Sequence, residues 1–260
     1  MTVSFEKWEG LGNDFVLVEG APKDAGWVRR VCDRRRGVGA DGVLFVEGAR
    51  SGPLTMTVLN ADGSRPEMCG NGIRCVAGYV AAIRLTSNNR FEIATDAGMK
   101  SCDVVVHDGA ANVVVDMGVT KVLEQRSFEI GGAAHRFTLA DAGNPHAVTF
   151  EPYAEGDIDA IGPRVSASPP SGYNVEFCRL SPGIRVDVVV WERGVGRTLA
   201  CGTGACAVAA VVCAAGHAQY GEPFAVGLPG GDLMITIDAA TKRATMRGPA
   251  RRVFTGEVAF

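Results

Sequence analysis

Two cysteines occur in the same short pattern, Cys69-Gly70-Asn71-Gly72 and Cys201-Gly202-Thr203-Gly204, and each pattern opens an apolar stretch of helical length. A cysteine at the start of a helix meets unpaired backbone N–H groups and the positive end of the helix dipole, which stabilise a thiolate. We therefore expect both thiols to have a lowered pKa. Because glycine has no side chain, the same N–H groups stay accessible to a substrate carboxylate.

Two such helix ends on opposite sides of one α-carbon would provide a base and an acid. One thiolate would remove the α-hydrogen while the opposite thiol delivers a proton, which inverts the stereocentre. N–H donors on the carboxylate would stabilise the charge that develops there. The sequence shows no lysine motif for a pyridoxal cofactor, and Gly37-Val38-Gly39-Ala40-Asp41-Gly42 opens a strand, unlike a nucleotide-binding loop, so we expect no cofactor.

An internal repeat relates the two patterns. In each half a Gly-Asn pair comes first, then a polar residue, and then the cysteine. The asparagine of the pair precedes its cysteine by 56 positions in the first half (Asn13) and by 57 in the second (Asn144). The polar residue, Asn60 or Glu192, precedes its cysteine by 9 positions in both halves. The repeat predicts a duplicated domain with its boundary near Gly118 and a site in the cleft between the halves.

Short strands and few helices are expected to position these residues. Apolar runs bounded by Gly, Pro, Asn and Asp predict strands at Phe15–Val18, Val43–Val46, Met56–Leu59, Val104–Val106, Val113–Val115, Arg185–Trp191 and Leu233–Ile237. Helices are predicted at Trp27–Arg36, Gly70–Arg84 and Gly202–Ala215. Many strands around a few apolar helices favour an α+β fold with each helix enclosed by sheet.

Composition limits the partners. With 260 residues, 47% hydrophobic content and a formal charge of −3, the chain fits a globular enzyme and has no surplus of basic residues for nucleic acid or anionic membrane. The uncharged run 198–216 is interpreted as a buried helix, and the five arginines between Arg29 and Arg36 as a solvated helix face. The N-terminus lacks a signal-peptide pattern, which predicts a cytoplasmic protein.

The remaining cysteines and histidines add little. The eight cysteines contain no CxxC pair and the histidines no HExxH motif, so no metal site is expected. Cys75, Cys206 and Cys213 fall inside apolar helices and are interpreted as packing residues. His146, next to the repeated asparagine, is favoured for the catalytic site over a turn histidine, and the offset of Glu192 favours the site over an ion pair.

The residues at seven places resemble the signature segments of the diaminopimelate epimerase family. These are Leu11-Gly12-Asn13-Asp14-Phe15, Gly39-Ala40-Asp41, Asn60-Ala61-Asp62-Gly63-Ser64, Met68-Cys69-Gly70-Asn71-Gly72-Ile73-Arg74-Cys75, Gly143-Asn144-Pro145-His146, Glu192-Arg193-Gly194 and Ala200-Cys201-Gly202-Thr203-Gly204-Ala205. They run in order along the chain, and the two cysteine segments are highly specific.

The resemblance implies epimerisation of LL-2,6-diaminopimelate to meso-diaminopimelate without a cofactor, in the biosynthesis of lysine and peptidoglycan precursors. It implies an α+β fold of two similar domains related by pseudo-two-fold symmetry, each a mostly antiparallel sheet or barrel around a central helix. The first domain would comprise residues 1–117 with a return segment 251–260, and the second 118–250. A homodimer is expected.

The resemblance also assigns roles to residues. Cys69 and Cys201 would be the acid–base pair, with Cys69 facing the LL form, and His146 and Glu192 would adjust their protonation. The polar groups of the substrate would be held by Asn13, Asn60, Asn144, Asn174, Glu192 and Arg193, and helix-end donors would come from Gly70, Asn71, Gly202 and Thr203.

Three positions depart from the family pattern. Gly42 stands where many members have Gln, so one substrate-facing amide is missing. Arg65 stands where Glu is common, and Phe254 replaces a tyrosine that the family uses at a dimer contact. None of these changes touches the cysteine pair.

Two other functions stay open at this point. An enzyme of the same fold could act on another amino acid, such as proline or histidine, although the polar residues favour a substrate with a polar distal end. A thiol redox or binding protein could instead use a reversible Cys69–Cys201 disulfide, which in an epimerase would be an inactivated form.

Overall fold

The chain divides into two units. A computed structural model describes residues 2–66, 68–84, 89–107, 110–169, 171–181 and 183–259. The first unit is formed by Met1–Val115 with Arg247–Phe260, and the second by Asp116–Met246.

The first unit is a sheet around one apolar helix. Its strands are β1 (Thr2–Gly10), β2 (Asn13–Glu19), β3 (Gly42–Glu47), β4 (Leu54–Asn60), β5 (Arg90–Thr95), β6 (Gly98–His107) and β7 (Ala110–Val119), and its helices are α1 (Ala25–Cys32) and α2 (Gly70–Arg84). Strands β2 and β3 pair in parallel, β3 and β4 antiparallel, β4 and β5 parallel, and β5 and β6 antiparallel. Strand β1 pairs antiparallel with β2.

The second unit repeats this order of pairings. Its strands are β8 (Lys121–Ile130), β9 (Ala133–Asp141), β10 (Pro145–Thr149), β11 (Asn174–Ser181), β12 (Arg185–Glu192), β13 (Gly196–Thr198), β14 (Phe224–Leu228) and β15 (Gly231–Ile237), and its helices are α3 (Glu155–Ser166) and α4 (Gly202–Ala214). Strands β10 and β11 pair in parallel, β11 and β12 antiparallel, β12 and β14 parallel, and β14 and β15 antiparallel. The last strand, β16 (Arg243–Ala259), pairs antiparallel with β1.

Each unit encloses one helix that is apolar on nearly all sides, as the sequence predicts. Helix α2 contacts β1, β2, β3, β4 and β6, and α4 contacts β8, β9, β10, β11, β14 and β15. A helix without a polar face is stable only when it is buried, which is why the sheet of each unit wraps around it. The predicted α+β fold with a central helix in each half is confirmed.

Two helical predictions need correction. Helix α1 ends at Cys32 rather than Arg36, because the Asp33 side chain accepts the N–H groups of Arg35 and Arg36 in a turn. Helix α3 was not predicted, since its sequence contains Gly156, Gly162 and Pro163. The segment is helical because its apolar face is buried.

Gly162 lies where α3 packs closely against the neighbouring sheet. Ile158, Ile161 and Val165 of α3 are buried, and a Cβ at Gly162 would lie 3.0 Å from Trp191 of β12. Residues that lower helical propensity are therefore tolerated where they let the helix pack closely.

Within the described ranges, no helix is long and apolar enough to cross a membrane.

A buried arginine ties α2 to the returning strand β16. The Arg74 side chain has no exposed surface and donates to the carbonyl oxygens of Gly70 at 3.0 Å and Pro249 at 3.1 Å. It also donates to Asn71 Oδ1 at 2.9 Å. These bonds satisfy buried acceptors at the first turn of the helix and connect it to a part-buried carbonyl on the C-terminal segment of the same unit.

Replacing Arg74 by Met should therefore destabilise the protein strongly. The change removes this donor from two buried acceptors, on Gly70 and Asn71, at about 1–3 kcal/mol each, and from the part-buried Pro249 carbonyl, so the free energy of unfolding should fall by about 2 kcal/mol or more. Urea unfolding measures the change. Arg36→Met, at an exposed residue, is the matched control and should alter stability by less than about 0.5 kcal/mol. Equal effects of the two variants would contradict this role of Arg74.

Candidate active site

The two cysteines occupy equivalent places at the start of the central helices. Cys69 Sγ accepts the backbone N–H of Gly72 at 3.2 Å, and Cys201 Sγ accepts that of Gly204 at 3.3 Å. The carbonyl oxygens of the same cysteines accept the first helical N–H groups at 3.0 Å in both units. Each sulfur therefore acts as the side-chain cap of its helix, at the positive end of the helix dipole.

The second glycine of each pattern lies in a crowded position. A Cβ at Gly72 would lie 2.8 Å from Leu44 Cδ2 and 3.2 Å from Cys69 Sγ. A Cβ at Gly204 would lie 2.7 Å from Glu176 Oε1 and 3.2 Å from Cys201 Sγ. A side chain at either position would crowd the sulfur and its neighbour, so glycine in the C-G-x-G pattern leaves the cap undisturbed.

The environment of Cys201 differs from the expectation of a lowered pKa. Burial raises the pKa of the Cys201 thiol well above its usual range, and the nearby carboxylates of Glu192 and Glu176 raise it further. Hydrogen bonds with Thr203 Oγ1, at 3.5 Å, and with the Gly204 N–H act in the opposite direction but are outweighed. The helix end alone does not decide the charge of a thiol that is removed from water beside two carboxylates.

His146 lies at the centre of a buried chain of polar groups in the second unit. Its Nδ1 is 2.7 Å from Glu176 Oε1, and its Nε2 is 2.8 Å from Asn144 Oδ1. The side chains of His146 and Glu176 have no exposed surface. His146 is thus held by both ring nitrogens and does not reach the surface of the unit.

Glu176 was missed by the sequence analysis. It lies on β11 between Val175 and Phe177, both buried. A charged residue inside an otherwise apolar strand costs free energy unless it is paired, so its position was a usable signal. The repeated spacing from the cysteines does not extend to Glu176.

Asn174, Glu192 and Arg193 form one hydrogen-bonded corner of the second unit. Asn174 Oδ1 accepts the backbone N–H of Arg193 at 3.0 Å, and its Nδ2 donates to the Pro145 carbonyl at 3.4 Å. Glu192 Oε1 accepts from Thr198 Oγ1 at 2.6 Å across the β12–β13 hairpin. The Arg193 side chain is exposed and donates to the carbonyl oxygen of Ser171, in the loop before β11. The structure brings these predicted residues together with the strand that carries His146.

The predicted asparagines of the first unit have three different environments. Asn13 Oδ1 is buried and has no hydrogen-bond partner among the described residues. Asn60 Nδ2 donates to Ser64 Oγ at 2.9 Å. The Asn71 side-chain oxygen accepts a hydrogen bond from Arg74. The donors that Gly70 and Asn71 could offer to a ligand are then their backbone N–H groups at the helix start. Among the three, Asn13 is the one with a buried acceptor left to satisfy.

The residues that depart from the family pattern fit their surroundings. A Cβ at Gly42 would lie 2.7 Å from the Leu59 carbonyl oxygen, so this backbone accepts only glycine there. Arg65 makes a two-pronged ion pair with Asp96, at 2.6 and 2.7 Å. The Phe254 ring packs edge-on against Phe5 with ring centres 5.9 Å apart.

An ionic network supports the turn that carries Asn13. Asp14 pairs with Lys7 at 2.5 Å and with Arg34 at 2.7 Å, and Arg34 also pairs with Asp41 at 2.6 Å. Burial acts to raise the pKa of Asp14, but the bonds with Arg34 and Lys7 outweigh it and lower that pKa to about 2. Arg34 is therefore part of an ion-pair network and not of a solvated helix face.

The eight cysteines all lie within the described residues and carry thiols. Burial raises the pKa of Cys32 to about 11 and that of Cys102 to about 12, as expected for packing residues. In the described parts of the chain, His, Cys, Asp and Glu side chains form no group of three that could hold a metal ion.

The rate of alkylation should distinguish Cys69 from Cys201. Cys69 is half-buried, whereas Cys201 is 6% exposed and its raised pKa keeps it protonated at pH 8. Since the thiolate is the reactive form, iodoacetamide should modify Cys69 at least about tenfold faster than Cys201, and the Cys201 rate should rise with pH. Peptide mass spectrometry measures both rates, with the fully buried Cys206 as the unreactive control. A Cys201 rate equal to that of Cys69 would contradict the described burial.

Known proteins resemble this chain along its whole length. The diaminopimelate epimerase family model matches residues 5–123 and 138–253. A diaminopimelate epimerase from Trichodesmium erythraeum is 38% identical with all of both chains covered, and one from Desulforudis audaxviator is 41% identical over 98% of this chain and 99% of its own.

Solved structures share the fold at low sequence identity. A hydroxyproline epimerase from Agrobacterium vitis superposes with a TM-score of 0.75 at 20% identity, covering 100% of this chain and 93% of its own. A phenazine biosynthesis protein of the PhzF family from Bacillus anthracis does so with a TM-score of 0.73 at 14% identity, covering all of both chains. The match to the family model and the full-length relatives, together with the two capped cysteines, show that this chain belongs to the diaminopimelate epimerase family.

Proposed function

We propose that this protein interconverts LL-2,6-diaminopimelate and meso-diaminopimelate without a cofactor, using Cys69 and Cys201 as its acid and base. The observation that carries the proposal is the repeated thiol cap, because the same Sγ to N–H bond occurs at the start of the central helix of both units. Membership of the family, with relatives 38–41% identical over nearly their full length, supports the substrate.

The proposed reaction moves one proton off the α-carbon and another one onto it. The thiolate of one cysteine takes the α-hydrogen, so that its S–H bond forms as the Cα–H bond breaks. The thiol of the other cysteine gives its proton to the opposite face of the carbon and becomes the thiolate. The stereocentre is inverted, and the reverse reaction uses the same groups with exchanged roles.

The charge that develops on the substrate needs electrostatic stabilisation. Backbone N–H groups at the starts of α2 and α4, from Gly70, Asn71, Gly202 and Thr203, are the proposed donors to the reacting carboxylate. Glycine at the first position of each helix leaves room for the carboxylate to approach. The helix dipoles add to this stabilisation because a negative charge is favoured at both helix starts.

The distal end of the substrate carries a second carboxylate and a second ammonium group. We assign their recognition to Asn13, Asn60, Asn144, Asn174, Glu192 and Arg193. The exposed guanidinium of Arg193 supports a contact with the carboxylate, and the carboxylate of Glu192 supports one with the ammonium group. Glu192 also raises the pKa of Cys201, so the same residue links binding to the protonation of the thiol.

The two thiols start from different protonation states in this proposal. Burial and the carboxylates of Glu192 and Glu176 raise the pKa of Cys201, which makes it the proton donor of the free enzyme. Cys69, which is half-buried, is then the base that meets the LL substrate. His146 contributes through Asn144 and Glu176, because its ring has no exposed surface with which to contact a substrate.

Isotope exchange tests the proposed reaction. The reduced protein incubated with LL-diaminopimelate in heavy water should form the meso isomer with deuterium at the inverted α-carbon, measured by NMR and chiral chromatography. Cys69→Ala and Cys201→Ala should each lower kcat by at least about 10²-fold, as expected for loss of an acid or base. Cys206→Ala, inside α4, is the matched control and should retain activity.

The outcomes of this assay are distinct. Exchange on proline, hydroxyproline or histidine but not on diaminopimelate would overturn the substrate assignment. Full activity in either active-site variant would overturn the two-thiol mechanism.

We further propose that the protein is a cytoplasmic homodimer. Eight thiols are typical of a reducing compartment, which supports the location. Phe254 and Val253 on β16 are about half exposed, and an apolar exposed pair on a strand is a feature of subunit contacts.

Replacing Phe254 by Glu should then weaken the dimer. A charge placed in an apolar contact must be desolvated without a partner, so the equilibrium shifts toward monomer. Light scattering coupled to gel filtration measures the mass. Met99→Glu, at another exposed apolar residue of the same unit, is the control that should leave the mass unchanged. A monomeric wild-type protein would contradict the proposal.

A further inference from the structure

The Glu192 side chain contacts a hydroxyl group that lies outside the repeated cysteine patterns. Thr198 Oγ1 is 2.6 Å from Glu192 Oε1, a short distance that is typical of a hydroxyl donating to a carboxylate. The two residues lie on the neighbouring strands β12 and β13. Because a carboxylate has no proton to donate, the Thr198 hydroxyl is the donor of this bond.

The geometry of the β12–β13 hairpin directs Glu192 toward Thr198. In this pair of strands Glu192 is opposite Gly196, and Val190 is opposite Thr198. Gly196 has a φ of +104°, a conformation that favours glycine, so no side chain lies directly opposite Glu192. A long side chain can reach the diagonal neighbour on the paired strand. Thr198 is therefore the cross-strand partner that the hairpin offers to Glu192.

The residues on either side of Thr198 are anchored to other elements of the same unit. Before it, the Arg197 side chain pairs with Asp159 of α3 at 2.7 Å. After it, the Leu199 carbonyl oxygen accepts the N–H of Gly230, in the β14–β15 turn, at 2.8 Å. Thr198 thus lies in a short segment that is fixed at both ends, so its hydroxyl has a defined place.

Glu192 lies at the end of β12, where the chain enters the turn at Arg193. Its side chain is half-buried and flexible, and fixing such a side chain costs conformational entropy. A side chain that is held in one rotamer before the ligand arrives binds it at a smaller entropy cost. The bond from Thr198 therefore preorganises the Glu192 carboxylate.

The first unit holds its equivalent residue with a hydroxyl as well. Asn60, which has the same offset from its cysteine as Glu192, donates to Ser64 Oγ at 2.9 Å. Ser64 follows Asn60 by 4 positions, whereas Thr198 follows Glu192 by 6. The hydroxyl therefore comes from different positions of the repeat, although the contact is made in both units. This recurrence indicates that both units need the contact itself.

We propose that Thr198 is a positioning residue whose hydroxyl holds the Glu192 carboxylate in place for the distal ammonium group of the substrate. The nature of that group rests on the proposed function. Thr198 acts through Glu192, because its hydroxyl proton is already used in the bond with the carboxylate. A fixed carboxylate suits an ammonium group, since a hydrogen bond between opposite charges is stronger than one between neutral groups.

Removing the hydroxyl alone should impair the reaction with diaminopimelate. Thr198→Val keeps the branched shape and the strand preference of threonine but has no donor. Its kcat/KM should fall at least about tenfold, whereas Thr198→Ser keeps the hydroxyl and should stay within about threefold of the wild type. Thr138→Val, the same change at a half-buried residue of β9, is the matched control. Equal losses in Thr198→Val and Thr198→Ser, or no loss in Thr198→Val, would overturn the proposal.

A double-mutant cycle tests whether Thr198 acts through Glu192. In the Glu192→Ala background the hydroxyl has no carboxylate to hold, so Thr198→Val should lower kcat/KM by less than about twofold further. Additive effects of the two changes would mean that the hydroxyl acts elsewhere, and they would overturn the proposal.

An analogue without the distal amino group tests which part of the substrate is concerned. 2-Aminopimelate has both carboxylates of diaminopimelate but only one ammonium group. Its inhibition constant should therefore be the same for Thr198→Val as for the wild type, while the KM for diaminopimelate rises in the variant. An inhibition constant that rises as much as this KM would assign Thr198 a general structural role and overturn the proposal.

Crystal structures without ligand test the positioning independently of the substrate. In the wild type Thr198 Oγ1 and Glu192 Oε1 should be within hydrogen-bond distance, and in Thr198→Val the carboxylate should leave this place. A carboxylate that keeps its place in Thr198→Val would overturn the proposal. Inactivity of the wild type toward diaminopimelate would instead overturn the proposed function, and these structures would still decide whether Thr198 positions Glu192.

Discussion

The structure depends on one contact that it makes twice: a cysteine sulfur that accepts the N–H of the residue three positions later at the start of a buried helix. The contact fixes where each thiol lies, and glycine suits that third position because a Cβ would crowd the sulfur and the side chain of Leu44 or Glu176. Enclosure of the helix by sheet holds the helix start in place. The repeated strand pairings of the two units follow from the need to bury two such helices.

The same frame carries different charges in its two copies. The residue five positions after the cysteine is Arg74 in α2 and Cys206 in α4, while the residue beneath the helix is Leu44 in one unit and Glu176 in the other. A buried cation therefore belongs to the Cys69 helix, and a buried carboxylate lies next to Cys201. A duplicated domain can in this way place different charges at its two helix starts, where burial amplifies the effect of a single charge.

Several features of the fold could be read from the sequence, and others could not. The apolar helices α2 and α4 and the predicted strands were evident from their hydrophobic patterns. Helix α3 was hidden, because Gly156, Gly162 and Pro163 are typical of turns, and the close packing of Gly162 against Trp191 appears only in the folded chain. Arg34 looked like part of a solvated face until the chain brought Asp14 and Asp41 to it.

By itself the sequence determined the duplication, the two C-G-x-G helix starts and the likeness to one family, since these are properties of residue type and spacing. Tertiary structure alone decided that Glu176 reaches His146 and that Asn144 is held by the same ring. It also reversed the expected direction of the Cys201 pKa. The physical reason is that burial and charge pairing depend on groups far apart in the chain, and a local pattern records neither the loss of water nor the approach of a distant carboxylate.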